Sequence, residues 1–109
     1  MAGVNSQLLA DLHTLRSLVD LPEKWTKNMI HFDINGIPLS YRTEAGRYCV
    51  PLAVHAIADG DKPRGRALWN ALQGHVHWRH DSLLHWHDHP NTTHRDVMSV
   101  IDLAIMFSK

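Results

Sequence analysis

From Ser6 the apolar residues Leu8, Leu9, Leu12, Leu15, Leu18 and Val19 recur at helical spacing, with Asp11, His13, Arg16 and Ser17 between them. That period predicts an amphipathic helix capped by Asn5 or Ser6 and stopped by Pro22, which disfavours helical geometry in the residue before it. MIHFDINGIPLSY reads as two short extended runs around Asp33-Ile34-Asn35-Gly36, because Asn-Gly tolerates the positive φ that tight turns require. Pro38 suits the edge of such a hairpin. Tyr48 to Ala58 is apolar almost all round apart from His55, which predicts a buried central helix with Pro51 in its first turn and His55 as a hydrogen-bonded core residue. Asp59 to Pro63 breaks it, and helical periodicity resumes through Ala67, Leu68, Ala71 and Leu72 from Arg64 to His80, with Asp81-Ser82 closing that helix. A last helix is predicted from Thr93, where Thr93 and Asp96 have capping-box spacing, and Val97, Val100, Ile101, Ala104, Ile105 and Phe107 form its inward stripe. The expected fold is mainly α within an α+β class: a compact bundle of about four helices with a small β-hairpin between the first and the second.

A chain of 109 residues, 44% of them hydrophobic, builds one core, so residues 1–109 are expected to form a single globular domain. Eleven basic and eleven acidic side chains balance, which removes the positive excess that draws proteins to phosphate backbones. Nucleic acid is therefore an unfavoured partner, and would have to use Arg64, Arg66, Arg79 and Arg95 with stacked tryptophans. The single cysteine, Cys49, excludes an internal disulfide and fits a reducing compartment. With no apolar leader at the start and no long apolar run, the expectation is a protein of the cytoplasm, of a bacterium or of a phage-infected host, with no membrane partner.

Candidate chemistry gathers between His75 and His94, which holds seven of the ten histidines and two of the four tryptophans. Imidazole is the commonest side-chain ligand for zinc and nickel. On a helix His77 and His80 share a face; in an extended segment His85, His87 and His89 would converge, with Asp81 or Asp88 as a further ligand. No H-E-x-x-H or paired C-x-x-C supports such a site, so the expectation is no cofactor, with His-bound zinc or nickel as the alternative. Clustered imidazoles also gain charge together on mild acidification, which makes a protonation switch a third use. Cys49, near a predicted helix N-terminus where amide dipoles favour thiolate, suggests a second arrangement: a hydrolase-like Cys49, His94 and Asp88 set, with Asn91 as the other partner. Against it, a cysteine in the most apolar helix is most simply core filler, and Trp25 after the first helix is most simply a core ring. A calcium loop at Asp33 to Gly36 lacks a third acidic position and the terminal glutamate.

YCVPLAVHAIA, followed after one helix by LLHWHDHPNTTHRDVMSVIDLAI, resembles a family of small bacterial and phage proteins of unknown function. Its members carry a Trp after the first helix, a Cys-x-x-Gly-Ala-Leu helix and a Trp-Asn-Asp, Thr and Asp/Glu-Val segment leading into a last helix. Trp25, Cys49, Ala53, Trp86, Asp88, Thr93, Asp96, Val97, Asp102 and Ala104 occupy those positions. Leu52 stands where the family has glycine, and His87 where it has asparagine. The resemblance implies a mostly helical cytosolic domain and brings no activity with it.

The function expected is therefore a non-catalytic protein-binding or regulatory domain of bacterial or phage type, modulating a host or defence factor in one concrete version. Its binding residues are expected to be Trp78, Arg79, Trp86, His87 and Asp88, because Trp and Arg are the usual anchors of interfaces. A protein partner is implied, its identity is not, and a homo-oligomer is compatible with the sequence. The alternatives are the Cys49-centred enzyme and a histidine-rich metal-binding protein.

Overall fold

The computed structural model describes residues 4–27, 30–32, 38–41, 47–76 and 82–109. Five α-helices follow in chain order: α1 (Val4–Val19), α2 (Val50–Ala58), α3 (Lys62–Gln73), α4 (Leu83–Asp88) and α5 (His94–Phe107). A 3-10 turn, Pro22–Lys24, follows α1. The class expected from the sequence is corrected by this: the domain is helical rather than α+β, with five helices in place of about four. What pairs in extended form is a ladder of three and four residues, Ile30–Phe32 (β1) against Pro38–Tyr41 (β2), with Ile30 opposite Tyr41. Residues 33–37 lie outside the described residues, so a hairpin closed by Asn35-Gly36 is not seen, and the calcium-loop alternative falls there too.

Among the described residues the main buried apolar cluster comes from the helices. Leu12, Leu15 and Val19 of α1 meet Val50, Ala53 and Val54 of α2, Leu68 and Leu72 of α3, Leu83 and Trp86 of α4, and Val97, Val100, Ile101, Ala104 and Ile105 of α5. Removing each such side chain from water contributes about 1.5–3 kcal/mol, which explains why every helix of the chain carries an inward stripe. Helix α1 is the hub and packs on α2, α3 and α5. Phe107, expected on the inward stripe of α5, is instead 72% exposed. At the end of the helix it is carried past the last neighbouring element.

The starts of α2, α3, α4 and α5 each have a local cause. Cys49 Sγ accepts from Leu52 N, Asp61 from Arg64 N, Ser82 from His85 N, and Thr93 from Asp96 N, with the Asp96 carboxylate returning a bond to Thr93 N. Ser82 thus opens α4 where the sequence suggested the close of a helix running to His80. Helix α3 stops at Gln73 instead, because Gly74 is a weak helix residue and the Gln73 side chain turns to accept from Leu83 N, tying the end of α3 to the start of α4. Between α2 and α3 the chain reverses through Asp59 and Gly60, both in the left-handed region, with φ of 46° and 85°.

One ion pair crosses the core edge. The Arg64 guanidinium on α3 grips the Asp11 carboxylate of α1 in a two-pronged contact, Nε to Oδ2 at 2.9 Å and Nη2 to Oδ1 at 2.8 Å, while Gln7 donates to Oδ1. Hydrogen bonding to Arg64 outweighs the desolvation of this almost fully buried carboxyl and holds it below the ordinary carboxylate range. A folded value below the unfolded one means that the pair stabilises the fold above about pH 4 and that this contribution is lost as pH falls through the folded value. Arg64→Ala is expected to lower stability at pH 7 by roughly 1–3 kcal/mol, since it strands a buried carboxylate whose lost partner was itself partly solvated. Urea titrations should show that deficit shrinking as the pH is taken down through the carboxylate range.

Candidate functional site

The metal alternative required Leu84 to Pro90 to be extended; the segment is helical through Asp88, and this decides the fate of the histidines. On α4 residues two apart point in different directions. His85 is exposed, His87 is wholly buried and His89 sits at the helix C-cap, so the three rings do not converge. Among the described residues no group of three His, Cys, Asp or Glu side chains is placed to hold a metal ion. His77, His80 and Asp81, the remaining candidate ligands, lie outside the described residues, as do the candidate binding residues Trp78 and Arg79.

His87 is the centre of a buried polar knot. Its Nε2 accepts from Trp25 Nε1 at 2.8 Å and from the backbone N–H of Val50 at 3.2 Å. Indole N–H and backbone N–H can only donate, so Nε2 carries the lone pair and the ring proton sits on Nδ1, 2.9 Å from Asp88 Oδ1. The indole of Trp25 meets His87 edge-on with centroids 5.5 Å apart, and also contacts the His94 ring at 5.7 Å. His94 Nε2 in turn lies 2.7 Å from the carbonyl oxygen of Val19, at the end of α1. Around this knot Thr26 N bonds Tyr48 O, Tyr48 N bonds Lys24 O, and Lys27 Nζ reaches the carbonyl of His89. No buried side-chain nitrogen or oxygen is left without a partner among the described residues.

The hydrolase-like arrangement does not assemble from these parts. Cys49 is 1% exposed and caps α2, as its place at the helix start suggested, yet burial and the Asp88 carboxylate outweigh the bond from Leu52 N and push its thiol up to about 11. The helix-terminus effect is at most about 1–2 kcal/mol and desolvation exceeds it. The imidazole beside Asp88 is His87, not His94, and its only basic nitrogen is already taken by two donors. Of the expected binding residues, Trp86 is 7% exposed and His87 is 0% exposed, so both face inward and only Asp88 is partly open. Packing against α2 and α3 explains the inward turn of Trp86, since a ring that size on a six-residue helix supplies most of its burial.

A surface feature that the sequence did not single out lies on the other side of α2. A groove of about 470 Å³ runs between α2 and α3, with Pro51, Val54, His55 and Ala58 on one wall and Lys62, Gly65, Arg66 and Trp69 on the other. These are helical stripes: 51, 54, 55 and 58 repeat at three, one and three, and 62, 66 and 69 at four and three. His55 is thus exposed on a rim, where a core position had been expected. At the turn end Gly65 allows close approach, for a Cβ there would stand 3.1 Å from Ala58 Cβ. Lys62 and Arg66 are both exposed and have no ion-pair or hydrogen-bond partner among the described residues. Asp61, the acidic lining residue, is engaged at the α3 cap. The signal for this groove was present in the spacing of Lys62, Arg66 and Trp69, but a charged stripe on an amphipathic helix ordinarily means a solvated face.

Residues 6–106 match the model of DUF6197, a family of unknown function, and the chain belongs to that family. No curated protein and no solved structure matches it.

Two measurements follow from the knot. His87→Phe, which keeps ring volume and removes the acceptor, is expected to cost roughly 2–4 kcal/mol in urea unfolding, because the donors on Trp25 and Val50 both lose their partner. Iodoacetamide should alkylate Cys49 at neutral pH at least about tenfold more slowly in the native protein than in urea, since little of a thiol with so high a pKa is thiolate.

Proposed function

We propose that this protein is a non-catalytic protein-binding domain whose recognition surface is the groove between α2 and α3. The observation that carries this reading is the combination of an apolar floor, a half-buried tryptophan and two unpaired cations on one rim. An apolar centre with a polar rim is the anatomy of a protein interface, and Trp and Arg are its most frequent anchors. The surface so placed differs from the one expected around Trp86 and His87, which are spent on the interior.

The buried knot supports the same reading from the structural side. Trp25 and Asp88, two positions of the family-like pattern, bond to His87, whose Nε2 holds the first amide of α2, and Cys49 caps that same helix. We read them as the frame that fixes one wall of the groove, with His87 filling the place of the expected asparagine.

Panning a random linear peptide library displayed on phage against the immobilised protein tests the proposal. Selected peptides are expected to share a motif, and Trp69→Ala is expected to weaken them about tenfold or more, the scale of an interface hot spot. Cys49→Ser, which keeps an acceptor for Leu52 N at the α2 cap, should bind them as the wild type does. Recovery of no common motif, or of peptides indifferent to Trp69, would sink the reading.

A further inference from the structure

The chemistry of the groove also specifies what it holds. We infer that its occupant is an extended acidic peptide segment carrying two carboxylates two residues apart, with a large apolar side chain a further two residues along. This rests on the reading of the groove as a protein-binding surface.

Charge comes first. Among the lining residues the cations Lys62 and Arg66 are exposed and without a partner among the described residues, and they outnumber the one lining carboxylate, Asp61, which keeps its charge while accepting from Arg64 N at the α3 cap. Arg64 itself is spent on Asp11 and does not line this groove. His55 adds a further polar group on the α2 wall. A ligand with negative charge along the α3 rim therefore meets two cations it can pair with, while a basic ligand would meet like charge.

Spacing then gives the order of groups. At about 1.5 Å per residue, Lys62 and Arg66 stand roughly 6 Å apart along the α3 axis, and Trp69 about 4.5 Å beyond Arg66. An extended chain advances about 3.3 Å per residue and places alternate side chains on one face, so residues two apart lie roughly 6.6 Å apart. Carboxylates at such positions reach both cations, and the next apolar residue comes level with Trp69, Val54 and Pro51. The α2 wall from Pro51 to Ala58 is itself about 10 Å long, the span of three to four extended residues. Arg66 presents the planar fork that matches a carboxylate, and Lys62 a point charge.

The test uses the same peptide library with the intact protein and with Lys62→Glu/Arg66→Glu. Both positions are exposed, and an acidic residue in the first turn of α3 is favourable, so the double variant should fold; its thermal unfolding checks this. Wild type is expected to select acidic-x-acidic-x-apolar segments, and a synthetic peptide from that pool should bind the variant at least about tenfold more weakly. The variant should in turn select basic segments, and raising salt should weaken the wild-type complex. Trp69-dependent peptides with no acidic bias and no response to the charge reversal would overturn the inference while leaving the binding domain standing. Absence of any Trp69-dependent peptide would remove both. Retention of labelled oligo(dT) in place of peptides, lost in the double variant, would overturn the peptide assignment.

Discussion

A single imidazole nitrogen holds the described parts of this molecule together. Nε2 of His87 lies in a wholly buried ring and takes two donors that are far apart in sequence, the indole of Trp25 and the first amide of α2. The first of the four amides at a helix start has no partner within its own helix. Here a side chain from α4 supplies it, so the start of α2 and the segment after α1 are pinned to one point. Asp88 completes the arrangement by accepting from the other ring nitrogen, which fixes the tautomer. Buried polar groups satisfied in this way select one packing of the core over others that would be equally apolar.

The same residue types suggest nucleophilic chemistry, and the knot gives them a structural use. A cysteine, an imidazole and a carboxylate do lie in one neighbourhood, but each is bound into structure: the thiol as helix cap, the ring as double acceptor, the carboxylate as the ring's anchor. With this part of the interior committed, Lys62 and Arg66 on the outside of α3 are among the described groups that keep no partner. The groove beside them depends on the knot, because the residue that follows Val50 is Pro51, the first of the groove's α2 wall.

Much of the helical frame was legible in the sequence. The stripe from Leu8 to Val19, the break that begins at Asp59, and the Thr93–Asp96 cap each act through neighbours a few residues away, and periodicity and cap chemistry report such local causes directly, although Lys62 and Pro63, expected within that break, open α3 instead. The end of α3 and the start of α4 were missed because they depend on Gln73 reaching Leu83, a contact that local pattern does not encode. The histidines misled for a related reason. H-x-H-x-H has opposite consequences on a strand and on a helix, and it is the Ser82 cap and the packing of Leu83 and Trp86 that make Leu83–Asp88 a helix. The buried role of His87 needed Trp25, 62 residues away, and no spacing rule reaches so far.

The meeting of Gly65 with Ala58 governs a dimension as well as a contact. With a Cβ separation of only 3.1 Å had Gly65 carried one, the two helices lie at a distance that a single added methyl would have to open by a few tenths of an ångström. Such a methyl would act as a shim at the hinge end of the cleft. Variants of this chain at either position would then present mouths of different gauge.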